Sequence, residues 1–301
     1  MKPIIHLETI SDLGRLIHTE TKHPLVSVVD LSKVEEFFEE GTRVRASFYT
    51  IMFKNYGCNH LKYGRQSLDF QDGRLICIAP NQVLLMEKEL EKIDNMIGWG
   101  LFFHPDLLRG TALGNKIDDY TFFSYEISEA LHLSDKEQKN LLDCVQKIET
   151  ELKDNIDNHS QNLIVTNIEL FLNYCLRYYG RQFITRKNSN STVVTHIEQL
   201  LKTYFKSNQL RDNGLPTVKY LAENVHLSAS YLSDLLKKET GMNAQDHIHY
   251  YLIEEAKNVL LNTDHSVSEI AYALGFDYPQ YFSKLFKLKT GKTPIEYRNL
   301  N

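Results

Sequence analysis

Cysteine is scarce in this sequence, with four in 301 residues. Cys58, Cys77, Cys144 and Cys175 stand far apart and form no C-x-x-C pair, which argues against a disulfide-stapled scaffold or a zinc knuckle. They are expected as reduced, mostly buried small hydrophobes. No run of about 18 apolar residues occurs, so no membrane-spanning helix is expected. The opening stretch MKPIIHLETISDLGRL breaks its one apolar run with His6 and Glu8, and no signal peptide is expected from it. These absences lead to an expected cytoplasmic localisation. A G-x-S-x-G elbow, a phosphate-cradling glycine loop and a Cys/His nucleophile arrangement are missing as well. The sequence therefore nominates no catalytic residue and no cofactor, and an enzyme is not expected.

A surplus of positive charge is also missing. The chain carries 34 Lys+Arg against 39 Asp+Glu, a formal net charge of −5. Spread evenly, that balance would argue against nucleic acid. It is not spread evenly. Residues 195–301 carry 12 basic and 12 acidic side chains, leaving 22 against 27 in residues 1–194. Within 278–301 five basic residues face one acidic residue, Glu296. A phosphate backbone meets local charge, so the average does not exclude it.

What is present is a globular composition, 42% hydrophobic and 24% charged, in a chain long enough for two domains. From Leu25 to about His104 the pattern is β-like, with VSVVD, SFYTIMF, SLDF, RLICIA, VLLME and GWGLFF separated by turn signals. Asp72-Gly73 is a hairpin cue. Several short strands at close spacing suggest a barrel or a double-sheet sandwich. Lys33–Glu40 reads as a short helix or an exposed loop. After Leu133 the period changes. Ser134 and Glu137 make a capping box, and Leu141, Leu142, Val145, Ile148 and Leu152 recur at helical spacing. A second helix is expected over about 161–181. The polar segment around Thr185–Ser191 has no apolar face and reads as a linker.

Beyond it the chain is helical and repeats itself. Leu221-Ala222 corresponds to Ile270-Ala271, Tyr231-Leu232-Ser233 to Tyr281-Phe282-Ser283, Leu235-Leu236-Lys237 to Leu285-Phe286-Lys287, and Thr240-Gly241 to Thr290-Gly291. Each copy reads as helix, turn, helix. In the second, Ser266 and Glu269 make a capping box, Gly275 takes the left-handed turn, Asp277 caps the next helix and Pro279 sits in its first turn. Phe282, Leu285 and Phe286 form the buried stripe, with Gln280, Ser283, Lys284 and Lys287 exposed. Thr293-Pro294-Ile295-Glu296 opens a further helix.

The stretch A-x-x-x-G-F-x-x-x-x-Y-F-x-x-x-F-K from Ala271 to Lys287, continued by Gly291-Lys292-Thr293-Pro294 and Tyr297-Arg298, resembles the signature of AraC/XylS-type bacterial transcription regulators. The first copy, LAENVHLSASYLSDLLKKETGMN, resembles that family's more variable first helix-turn-helix. The resemblance implies a DNA-binding domain over 194–301 and a linker over 185–193. Residues 1–184 would be a regulatory or dimerisation domain, with a cupin-like barrel at about 25–104 and helices at about 134–183. The fold class is thus α+β multidomain, with an all-α C-terminal part. By resemblance the base-facing positions are Ser230, Ser233 and Asp234 in the first copy and Gln280, Ser283 and Lys284 in the second. Lys237, Lys238 and Lys287 suit phosphate contacts. Asp234 departs from the family's basic or amide residue. The helix from about Asn243 to Leu261 would span roughly 28 Å, a strut between the two recognition helices.

The partners implied are double-stranded DNA, a second copy of the chain, a small-molecule effector and RNA polymerase, with no membrane. Cupin enzymes cluster H-x-H with a glutamate and a later histidine. Here His60 and His104 stand apart, and no metal is assigned. Phe48, Tyr49, Phe53, Phe70 and Trp99 read as core rather than as a cavity lining. The stripe at 141–152 suits packing on its own domain or seating a partner helix, and a dimer seam through Val145 and Ile148 is the expectation carried forward. The competing function is a cupin-like small-molecule-binding protein or enzyme with an appended helical domain.

Overall fold

The computed structural model describes residues 4–34, 42–55, 62–63, 66–67, 73–85, 98–126, 129–153, 157, 159–185, 187–207 and 209–299. The chain divides into two compact units, Met1–Thr185 and Arg186–Asn301.

The first unit contains strands β1 (Ile4–Leu7), β2 (Val26–Asp30), β3 (Arg43–Ala46), β4 (Tyr49–Lys54), β5 (Lys62–Tyr63), β6 (Gln66–Ser67), β7 (Arg74–Ile78), β8 (Val83–Leu85), β9 (Gly98–Phe103) and β10 (Leu131–His132). Its helices are α1 (Ile10–Leu16), α2 (Asp135–Lys153) and α3 (Ser160–Thr185). The described strands form a five-stranded sheet in the order β10-β7-β4-β9-β2, a three-stranded sheet β1-β3-β8 and the pair β5-β6. Within the three-stranded sheet, β1 runs parallel to β3. These sheets are separate, so the barrel expectation is corrected: among the described residues no barrel closes. Short strands at regular spacing are common to barrels and packed sheets, and only the hydrogen-bond partners distinguish them.

Leu7, Ile10, Leu13, Val29, Val44, Phe48 and Phe102 share one core, which packs α1 and the smaller sheet on one face of the larger. Phe53 stacks on Trp99 at 5.5 Å, and Trp99 meets Phe171 of α3 edge-on at 5.9 Å. Phe48, Phe53 and Trp99 are therefore packing residues, and Tyr49, half-buried, stacks on Phe103 at 4.9 Å. Phe70, Cys58, His60 and Asp72 lie outside the described residues. Cys77, Cys144 and Cys175 are free and buried, and burial pushes the Cys175 thiol well up. Such thiols are poor nucleophiles.

Two expectations need correction. Leu141, Val145, Ile148 and Leu152 are buried within the single chain. The stripe belongs to the unit's own core against α3, so a charge at Val145 or Ile148 would unfold the unit and not free a seam. The segment 185–193 is no loop where it is described: Thr185 ends α3, and α4 (Lys187–Lys206) already begins at Lys187. Ile197, Leu201 and Tyr204 anchor α4 in the core. Extending an anchored helix through polar residues costs little, since nucleation is already complete. Asn190 is itself buried and donates to Glu239 Oε1 at 3.1 Å.

The second unit continues with α5 (Gln209–Asn213), α6 (Val218–Asn224), α7 (Ala229–Thr240), α8 (Ala244–Asn262), α9 (Val267–Ala273), α10 (Pro279–Thr290) and α11 (Pro294–Arg298). Nineteen residues make α8 roughly 28 Å long. No helix among the described residues is long and apolar enough to cross a membrane.

Candidate nucleic-acid interface

Local chemistry builds each helix-turn-helix copy. Thr217 caps α6 by accepting from Tyr220 N–H, and Ser228 caps α7 by accepting from Tyr231 N–H at 3.2 Å. In the second copy Ser266 and Glu269 form a reciprocal capping box at α9, as do Thr293 and Glu296 at α11. The backbone N–H groups of Ser266 and Thr293 hold the carboxyls of Glu269 and Glu296 below the usual carboxylate range. Asp277 does not cap α10. The cap residue is Tyr278, with no side-chain bond, because Pro279 at the first helical position forces its predecessor into extended backbone. The second helix of each copy, α7 or α10, ends on a left-handed glycine, Gly241 (φ 81°) or Gly291 (φ 77°).

The turn between α9 and α10 is set by Gly275 at φ 82°. A β-carbon there would stand 3.1 Å from Gly214 Cα and 3.2 Å from Leu215 N. Gly275 thus serves both the left-handed turn and a backbone approach to the segment before α6. Tyr204 pins that segment by donating to Gly214 O at 2.9 Å. In the first copy the equivalent turn residue is His226, held at φ 55° without glycine's freedom.

Scaffold contacts fix both α7 and α10. Glu239 of α7 accepts from Asn190 of α4. Its counterpart in α10, Lys289, bonds Asp246 of α8 at 2.8 Å and holds that carboxyl below its ordinary pKa. Thr240 and the buried His247 share a 2.8 Å hydrogen bond, and burial pushes the His247 imidazole pKa down. Arg298 donates to Leu260 O at 3.0 Å and to His265 O at 2.6 Å, closing the C-terminal end of α8.

Gln280, Lys284 and Lys287 are exposed on α10, and Ser283 is half-buried. Lys237 and Lys238 are exposed on α7, whereas Ser230, Ser233 and Asp234 are half-buried. Ser233 Oγ accepts from Ala244 N–H at 3.3 Å, which ties it to the start of α8. The residue matching Ala244 is Pro294, which has no N–H to give, so Ser283 escapes that bond.

A helical wheel shows what the sequence pattern left out. With Tyr281 at zero and about 100° per residue, Lys284 lies at about 300°, flanked by Gln280 (about 260°) and Lys287 (about 240°) on one side. Leu288 at about 340° and Tyr281 itself flank it on the other, opposite the buried Phe282 and Phe286 at about 100° and 140°. Tyr281 is 61% exposed and Leu288 76%. The same wheel is available from the sequence, whose pattern marks only the polar Gln280, Ser283, Lys284 and Lys287 as exposed. The exposure of Tyr281 and Leu288 is the missing fact. The arrangement is a rod with one solvated face carrying a central cation, an amide and one further lysine, with no carboxylate from Pro279 to Thr290. It is suited to a groove lined with acceptors and phosphates.

A family model described as a helix-turn-helix domain matches residues 221–300. Over 83 residues the chain is 37% identical to YobQ of Bacillus subtilis (strain 168), named an uncharacterized HTH-type transcriptional regulator, covering 28% of this chain and 34% of that protein. It is 28% identical over 142 residues to YijO of Escherichia coli (strain K12), of the same description, covering 47% and 46%. The chain therefore spans less than half the length of either relative. Among solved structures it is similar to the C-terminal domain of the two-component response regulator yesN from Fusobacterium nucleatum subsp. nucleatum ATCC 25586. The identity is 32%, with 36% of this chain and 98% of that one covered, at a TM-score of 0.31.

Proposed function

We propose that this chain, which carries an AraC-type helix-turn-helix domain at its C-terminal end, is a sequence-specific DNA-binding transcription regulator. One observation carries the reading. Two equivalent helix-turn-helix units share one scaffold, and the second presents Gln280, Lys284 and Lys287 together on the open face of α10. A domain with 12 basic and 12 acidic residues over 195–301 cannot rely on bulk charge. Its affinity must come from placed contacts, which favours specific over architectural binding.

In this reading α7 and α10 enter successive major-groove segments on one face of the duplex, with α8 as the strut. Lys284 donates to guanine O6 or N7, and Gln280 bonds adenine N6 and N7. Ser283 adds a hydroxyl, and Ser230, Ser233 and Asp234 line the first reading face. Lys237, Lys238 and Lys287 contact phosphates and set register. Residues 1–185 form the regulatory unit, for effector sensing, for pairing two copies, or for both.

Selection of binding sites by the full chain from a random duplex pool tests this. Lys284→Ala and Gln280→Ala are expected to lose discrimination at particular base pairs, by about 1–3 kcal/mol for each good contact. Lys287→Ala should weaken all sites alike and flatten the salt dependence. A uniform loss from all three would show that these side chains bind phosphate and read nothing.

A further inference from the structure

The apolar flank of α10 is the largest feature of this face that base-reading by Gln280 and Lys284 leaves unused. Leu288 is the most exposed large apolar side chain among the described residues, at 76%, and Tyr281 follows at 61% within the same helix. They stand seven residues apart, two helical turns, on one side of Lys284. Tyr281 does not hang free. Its ring meets that of Tyr278 edge-on at 5.8 Å, and its backbone N–H donates to Tyr278 O at 3.0 Å. The ring is thereby held near the helix N-terminus, the end from which recognition helices reach base edges.

The first copy supplies the contrast. Tyr231 occupies the matching position and is 4% exposed, and Lys238 stands where Leu288 does. One flank of α7 is thus tyrosine buried and lysine exposed, while on α10 both residues are apolar and open.

We infer that Tyr281 and Leu288 are specificity-determining residues that pack against the 5-methyl groups of thymines in the major groove. The groove offers an apolar partner at one place only, the thymine methyl, and apolar side chains read it by contact. Lys284 and Lys287 hold the helix in an anionic groove, which makes duplex DNA the occupant that fits this flank. The amide-and-lysine flank then reads acceptors and the tyrosine–leucine flank reads methyls, so the second half-site is predicted to carry thymines beside the position read by Lys284.

This inference rests on the proposed function, and its test separates the two. In the sequence selected by the full chain, each thymine is replaced in turn by deoxyuridine. That change removes the methyl and leaves every hydrogen-bonding group in place. The wild-type chain is expected to bind about fourfold more weakly at one or two positions, the effect of losing one methyl-sized contact. Tyr281→Ala should bind the thymine duplex correspondingly more weakly and no longer distinguish thymine from uracil at one of these positions. Tyr281→Phe should keep the distinction, and Leu288→Ala should lose it at a neighbouring position. Because both side chains are exposed, thermal unfolding of the variants should match the wild type. Equal binding of thymine and deoxyuridine duplexes by the wild type overturns the inference alone, as does retained discrimination in both alanine variants. A pool that yields no preferred sequence overturns the proposed function and this inference with it.

Discussion

The two helix-turn-helix copies follow the same pattern and differ in what surrounds them. In both, a left-handed turn residue separates the helices, a cap or proline starts the second, and a left-handed glycine ends it. The first copy is braced by α4, through Asn190 and Glu239, and its tyrosine is core. In the second, no helix among the described residues buries Tyr281, which stays 61% exposed, and the Lys289–Asp246 pair is the brace. Over their recognition helices, α7 balances Lys237 and Lys238 against Asp234 and Glu239, whereas α10 has Lys284, Lys287 and Lys289 with no carboxylate. A repeated motif thus specifies a backbone, and its neighbours decide which side chains remain available for binding.

The largest test of that difference is the tyrosine pair. Tyr231→Ala is expected to cost about 3–5 kcal/mol, as for other buried aromatic truncations. Tyr281→Ala should stay within about 0.5 kcal/mol of the wild type. Urea unfolding followed by circular dichroism reads both, and equal losses would mean the two helices are packed alike.

The turns come next. Gly275→Ala should destabilise by about 2 kcal/mol, since a left-handed alanine costs about 1–2 kcal/mol and its methyl would press on Gly214 and Leu215. His226→Gly should go the other way, gaining up to about 1 kcal/mol at the same turn of the first copy. Opposite shifts in Tm support the equivalence of the two turns, and a loss at His226→Gly would show that its imidazole has a structural role.

The smallest effects concern protons. Burial depresses the folded pKa of His247 below 6.5, so its neutral form is favoured on folding. That contribution is complete above about pH 6.5 and is lost as pH falls below it. His247→Gln, which keeps a partner for Thr240, should flatten stability over this window. The second copy has Tyr297 at the matching position and no imidazole to protonate. Asp246, held below 3.8 chiefly by Lys289, contributes above its unfolded value and loses the contribution as pH falls through the folded one. Lys289→Met should remove that acid limb together with about 0.2–1 kcal/mol, the range for exposed pairs.

The helical half of the molecule was largely legible because its signals are local. Capping boxes at Ser266 and Thr293, glycines at 241, 275 and 291, and the buried pair Phe282 and Phe286 all act within a few residues, where spacing alone implies geometry. The strand segments at 26–30, 49–54, 74–78 and 98–103 were also readable from branched and aromatic runs. Their pairing was not, since β1 finds β3 with partners 39 residues apart, and no local pattern chooses a sheet over a barrel. The missed cap at Asp277 is a competition that Pro279 wins by one residue.

By itself, then, the sequence determined where the backbone turns and which faces are apolar, because capping, left-handed glycine and helical period are properties of short segments. The tertiary structure decided which apolar residues are covered. Val145 and Ile148 lie under α3 and are not a free face, the polar residues after Lys187 continue a helix anchored further on, and Tyr231 is hidden while Tyr281 is not. Burial depends on what a distant part of the chain places overhead, and identical side chains at matching helical positions carry no record of it.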